Sequence, residues 1–299
     1  MNTSLRSNHT DQPSDNSIPA WNIALIVLNA PLSLLTVVTN SVVLLAIWKT
    51  TSLHTPSSML LCNLAISDLA VGLLIQPLYM FHALRKLVVT FDRFYPITMP
   101  LYNVVGYCLC GVSFFTVTFI SLDRMIALKF HLRYYSLVTM NKTALAIAVI
   151  WMVSGIFSST KVWQDTVLYP YLAFTIIFCL FSNFYAYFEV YKIVIRHQAQ
   201  IHSQMQAVSV NADNGMRFKQ LRRSALNTFY FYCLLLVCYL PYFATVVAGL
   251  FIRKGFAKYY SVPSTIVFLN STLNPFMYFW RQSDIRQAVK RILKLSGTT

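Results

Sequence analysis

A chain of 299 residues that is 57% hydrophobic and only 11% charged, with 22 Phe and 18 Tyr, lies outside the balance of a soluble domain. The net charge of +15 is carried by segments between long apolar runs, so it reads as a topology and membrane-surface signal and gives nucleic acid no role. Eight glycines provide no phosphate-cradling loop, and no acid, base and nucleophile converge in any run, so the chain is not expected to be an enzyme and requires no cofactor.

Residues 1–21 are polar and lack the apolar core of a cleavable signal peptide; they read as an extracellular tail with glycosylation acceptors at Asn2 and Asn8. Seven apolar runs follow, near 22–48, 57–82, 96–128, 143–160, 168–195, 224–251 and 259–280. Each is long enough to cross a hydrocarbon core of about 30 Å as a helix. The predicted fold is therefore an all-α membrane protein, a seven-transmembrane helix bundle over residues 22–282, with a short amphipathic helix and tail over 283–299. Of the 24 Lys and Arg residues, Arg6, Arg85, Lys86, Arg93, Lys161, Arg253, Lys254 and Lys258 fall on the side of the tail and the other sixteen on the opposite side. That excess orients the tail outward across the plasma membrane. All six cysteines lie inside apolar runs without metal-ligand spacing, so no disulfide and no metal centre is expected.

The second run carries "LCNLAISDLAVGLL", with Asp68 near mid-membrane. An isolated carboxylate there neutralises itself or finds partners. Ser113 in the third run and Asn270, Ser271 and Asn274 in "NSTLNPFMY" of the seventh are oxygen-bearing neighbours that suit a small hard cation, sodium as an allosteric ion. A protonated Asp68 in a purely structural hydrogen-bond cluster fits the same residues. Behind the third run, "SLDRMIALKF" sets Asp123 and Arg124 at the membrane edge, where charges cost several kcal/mol even on lenient insertion scales and are rarely accidental. Between the fifth and sixth runs, "QAQIHSQMQAVSVNADNGM" reads as a flexible cytoplasmic loop.

The sixth run has an interior proline, Pro241 in "VCYLPYF", and the seventh has Pro275. Each removes a backbone hydrogen bond and can act as a hinge; Asn274 is placed to satisfy the carbonyl that Pro275 frees. After the seventh run, "RQSDIRQAVKRILKL" puts Ile285, Val289, Ile292 and Leu293 on one face and Arg286, Lys290, Arg291 and Lys294 on the other, suited to an anionic inner leaflet. Ser283 or Asp284 is placed to cap its start.

These features, in order and at matching runs, resemble the rhodopsin-like, class A, G-protein-coupled receptors from about residue 22 to 295. Asn40 in "TNSVVLL" matches the first-span asparagine, "LAISDL" the second-span motif, "DRM" the DRY motif, Trp151 the fourth-span tryptophan, "CYLP" the CWxP motif and "NPFMY" the NPxxY motif. The resemblance implies a role for the Asp123–Arg124 pair. Asp123 holds Arg124 at rest, and activation releases Arg124 toward Tyr278 and a fifth-span tyrosine placed at Tyr187, opening a cleft for a heterotrimeric G-protein.

Departures narrow the ligand. Met99 stands where most relatives have the third-span cysteine, "KVWQDTVLY" offers no partner cysteine, and Cys179 replaces the fifth-span proline. This combination is similar to the melanocortin, lysophospholipid, cannabinoid and adenosine subgroup. Gly106 replaces the aspartate that binds amines, and Phe268 the lysine of opsins, so neither an amine nor retinal is expected. The implied pocket of Tyr79, Tyr102, Gly106, Cys110, Tyr239, Phe243 and Phe268 is apolar and aromatic. Beneath the outer cations Arg85, Lys86, Arg93, Arg253, Lys254 and Lys258 it suits a lipid or peptide ligand with an acidic end. At the base of the sixth run "RFKQLRRSAL" has no acid to pair with Arg124, which predicts basal signalling. The alternatives are a seven-span transporter or channel using Asp68 as its ion site, and a non-signalling decoy receptor.

Overall fold

The computed structural model describes residues 20–84, 93–130, 133–163, 165–207, 233–248 and 261–295. Every element among them is helical. The spans are α1 (Ala20–Lys49), α2 (Pro56–Leu84), α3 (Tyr95–Lys129), α4 (Met140–Trp163), α5 (Asp165–Ala207), α6 (described over Cys233–Ala248) and α7 (Ser261–Arg281). The amphipathic helix α8 is Ser283–Leu295.

Five of these helices are long and apolar enough to cross a membrane. α6 is shorter only as far as it is described, and α7 is diluted by the polar row Asn270, Ser271, Thr272 and Asn274. Large apolar side chains including Val27, Leu34, Phe174, Phe181 and Val237 point outward, as a hydrocarbon surround requires. Asn2, Asn8, Arg85, Lys86, Arg253, Lys254, Lys258 and the segment 217–226 lie outside the described residues.

α3 is the axis of the bundle, packed against α2, α4 and α5, while α1 packs on α2, α7 and α8. The main core joins Leu60, Leu61 and Leu64 of α2 with Phe114 and Val117 of α3, Leu235 and Tyr239 of α6, and Tyr278 of α7. Backbones approach closely where side chains are small. A Cβ built on Gly72 meets Val37 at 3.0 Å and Ser33 O and Thr36 Cβ at 3.2 Å, and one on Gly111 meets Ser154 Oγ at 2.9 Å. These are the small-residue contacts by which membrane helices associate.

α2 starts at Pro56, whose missing N–H is an orphan in a first turn anyway, with Thr55 accepting the Ser58 N–H at 3.2 Å. It is interrupted by a π turn at Val71–Ile75, where the Gly72 carbonyl takes a bond from Ser33 Oγ at 2.7 Å.

Three expectations need correction. α5 continues to Ala207, so the first ten residues of the expected cytoplasmic loop are helical; 43 residues span about 65 Å, twice the hydrocarbon core. The carbonyl that Pro275 frees, Ser271 O, is satisfied by Asn40 Nδ2 at 3.2 Å, because Asn274 is turned to Asp68 instead. Ser283 does not cap α8: the helix begins at that residue, and its hydroxyl donates to Asp284 Oδ1 at 3.1 Å. Ile285, Ala288 and Val289 of α8 are buried, whereas Lys290 and Arg291 are exposed.

Candidate functional site

Asp68 is wholly buried at the centre of the bundle. Asn274 Nδ2 donates to its Oδ2 at 2.8 Å, Ser113 Oγ to its Oδ1 at 3.4 Å, and the Ser271 hydroxyl adds a further bond. Three helices thus converge on one carboxylate. Asn270 is buried one turn before Asn274, but it is not among the hydrogen-bond partners of Asp68. A carboxylate with two hydroxyls is the donor chemistry of a hard cation site, and rotation of the Asn274 carboxamide presents its oxygen as well.

Above this cluster, toward the Met99 end of α3, lies a cavity of about 270 Å³. Of the residues expected in a pocket, Tyr102, Gly106, Cys110, Tyr239 and Phe268 line it. Tyr79 and Phe243 do not. Tyr79 packs edge-on against Phe268 with ring centroids 5.6 Å apart, behind the wall, and Phe243 packs on the main core. A Cβ on Gly106 meets only Ile75, at 3.9 Å, so the missing side chain is part of the open space. Ser113 and Ser271 line the floor and also bond Asp68, which joins the cavity to the carboxylate below. The sequence reading missed Asn103, Tyr107, Lys161, Tyr242 and Ser264 in the wall. Their signal was faint, because polar side chains in α3, α4, α6 and α7 can equally face a neighbouring helix or the membrane surface.

At the opposite end of α3, Asp123 is buried and held three ways. Ser57 Oγ donates to its Oδ2 at 2.6 Å, Tyr134 Oη donates to its Oδ1 at 2.7 Å, and Arg124 lies 3.6 Å from Oδ2. Ser57 and Tyr134 also bond each other at 2.9 Å. Tyr134 belongs to a helical turn, Tyr134–Leu137, between α3 and α4; burial pushes its hydroxyl up to about 12, so it stays a protonated donor. Arg124 is partly exposed. Tyr278 is fully buried in the core, and Tyr187 stacks on Tyr191 with centroids 6.3 Å apart. Arg124 is paired with Asp123. Pro241 and Pro275 lie within α6 and α7.

Two further networks tie the spans together. Trp151 Nε1 donates to Asn63 Oδ1, and Asn63 Nδ2 to Thr116 Oγ1, both at 2.8 Å, linking α4, α2 and α3. Asn183 Nδ2 donates to Thr118 Oγ1 at 2.8 Å, one turn after Cys179. Polar anchors of this kind hold apolar helices in register where lipid and core are equally apolar.

The buried Asp68 cluster, the bonded Asp123–Arg124 pair and the Ser271 carbonyl, freed by Pro275 and met from α1, fall within one stretch of sequence. The family described as 7 transmembrane receptor (rhodopsin family) matches residues 39–278 of this chain, and the chain belongs to that family.

Proposed function

We propose that this chain is a plasma-membrane receptor, with its N-terminal tail outside, that passes an extracellular ligand signal to a heterotrimeric G-protein through movement of α6 and α7. It performs no covalent chemistry. The ligand is a lipid or a peptide rather than an amine, since Gly106 leaves open space where a cationic amine needs a carboxylate. Asp68 with Ser113, Ser271 and Asn274 holds a sodium ion that favours the resting state.

The observation that carries this reading is the Asp123 cluster. Arg124 is restrained by a carboxylate that is itself fixed by Ser57 and Tyr134, at the end of the bundle opposite the cavity. Such a pair is a two-state element, biased by whatever changes the packing of α3 against α6. Guanine-nucleotide exchange in membranes bearing the wild type and an Arg124→Ala variant, matched for surface level, tests it. Exchange that is present in the first and lost in the second supports the receptor; equal exchange in both removes Arg124 from the switch.

A further inference from the structure

Ser136 follows Arg133 by three residues in "RYYS", and no other serine or threonine of the chain has an arginine at that distance before it. It lies in the helical turn Tyr134–Leu137 between α3 and α4, in which no residue is buried. Tyr135 is 81% exposed, and Arg133 and Ser136 are exposed with it. The backbone leaves the helix on both sides, at Arg133 and at Val138, so opening the turn breaks few contacts. A protein kinase whose substrate groove carries carboxylates reads such an arginine by bidentate pairing.

The surroundings suit a phosphate. The Ser136 hydroxyl donates to the Arg133 carbonyl at 2.8 Å. Lys142 Nζ donates to the carbonyls of Ser136 at 3.3 Å and Leu137 at 3.1 Å, so an ammonium on a flexible stem already lies against the residue. Among the described residues of the turn and its bonded partners, Arg124, Arg133 and Lys142 stand against one carboxylate, Asp123. A phosphate carries a charge of about −1.5 to −2 and three acceptor oxygens. It offsets that excess and gives Lys142 and Arg133 a stronger partner than a carbonyl. The same turn presents Tyr134 to Asp123 at 2.7 Å, so fastening it fastens the group that restrains Arg124.

We propose that Ser136 is a phosphorylation site for an arginine-directed protein kinase, and that its phosphate, held by Lys142 and Arg133, clamps the Tyr134 turn and keeps Arg124 at rest. In the transfer, Ser136 Oγ attacks the γ-phosphorus of ATP, the bond to the bridging oxygen breaks to release ADP, and the hydroxyl proton passes to the aspartate of the kinase. The inference rests on the receptor reading above for the side of the membrane and for the signal.

The test uses the full-length chain in phospholipid nanodiscs, incubated with ATP and a calmodulin-dependent protein kinase, which selects arginine at that spacing, or with an acid-directed kinase. Mass spectrometry is expected to place phosphate on Ser136 with the first kinase only, and Arg133→Gln lowers the yield at least about ten-fold, the scale of one charge-assisted hydrogen bond. Phosphorylation raises the melting temperature and lowers basal nucleotide exchange about two- to five-fold, the scale of an exposed ion pair. Ser136→Ala loses both effects, whereas Lys142→Ala and Tyr134→Phe accept the phosphate and show neither. Phosphate found only at Ser224, a yield indifferent to Arg133→Gln, no modification, or a modified Ser136 that leaves melting unchanged or raises exchange overturns the proposal. Melting needs no G-protein, so the two readings separate. A phosphate-dependent rise in melting temperature without Arg124-dependent exchange overturns the receptor alone, and exchange with an unmodified Ser136 overturns this inference alone.

Discussion

Asn40 Nδ2 donates at 3.2 Å to the Ser271 carbonyl, the group that Pro275, four residues on, has no N–H to satisfy. Asn40 belongs to α1 and also bonds its own Thr36 carbonyl at 2.9 Å, so one carboxamide ties the first span to the defect in the seventh. Asn40→Ala leaves that buried carbonyl unpaired at about 1–3 kcal/mol, seen as a lower melting temperature of the detergent-solubilised receptor. In a Pro275→Ala background, where the N–H is restored, the same substitution costs less. Identical losses in both backgrounds would remove the proline from the explanation.

The Tyr134 hydroxyl and Ser57 fix Asp123 from two directions. Tyr134→Phe deletes the 2.7 Å bond and leaves the ring, so Asp123 gains freedom and its hold on Arg124 weakens. Basal nucleotide exchange is expected to rise several-fold, roughly 1 kcal/mol of bias on a two-state equilibrium. The Tyr134→Phe, Arg124→Ala double variant falls to the level of Arg124→Ala alone. A basal rate unchanged by Tyr134→Phe would show that Asp123 is held well enough by Ser57 and Arg124.

Asp68, Ser113 and Asn274 were legible as one group because Asp68 is a lone carboxylate in an apolar run and needs polar partners at its depth, which Ser113 and the polar row of α7 supply. The partner of the Ser271 carbonyl was not, because Asn40 and Asn274 are both carboxamides and only packing decides which one arrives. Tyr134 and Ser57 escaped for a different reason: they lie at the ends of spans, where polar residues are ordinary and no pattern marks the ones that fold back on Asp123. Lys161 read as an outer charge, since the number of residues between it and Trp151 does not show which side of α4 meets the cavity. Helical periodicity is weak evidence here, because lipid and core both demand apolar side chains. The extension of α5 to Ala207 was hidden by a polar composition that suits a solvated helix as well as a loop.

The same cluster predicts how the protein answers sodium. Adding sodium chloride, with choline chloride holding ionic strength, is expected to raise the melting temperature of the wild type, as any ligand of the folded state does. Asp68→Asn retains an oxygen acceptor for Asn274 and removes the charge that holds a cation, so it loses the sodium response and keeps the fold. A response that survives in Asp68→Asn would move the ion elsewhere, and no response in the wild type would leave Asp68 with a structural role.

Two glycines offer a paired control on helix packing. A Cβ at Gly72 falls 3.0 Å from Val37 Cγ2 and 3.2 Å from both Ser33 O and Thr36 Cβ, and two of these atoms belong to backbone or to a β-branched stem that cannot swing aside. Gly72→Ala therefore pushes α2 from α1 and strains the Ser33 bond to the π turn, at about 1–3 kcal/mol. A Cβ at Gly155 meets nothing within 4 Å, so Gly155→Ala relieves only the backbone freedom of a helical glycine and is expected to raise stability by about 0.5–1 kcal/mol. Melting temperatures of the two variants should thus move in opposite directions. A stable Gly72→Ala would mean that α1 and α2 separate easily and that the polar bonds between them, not close contact, set their spacing.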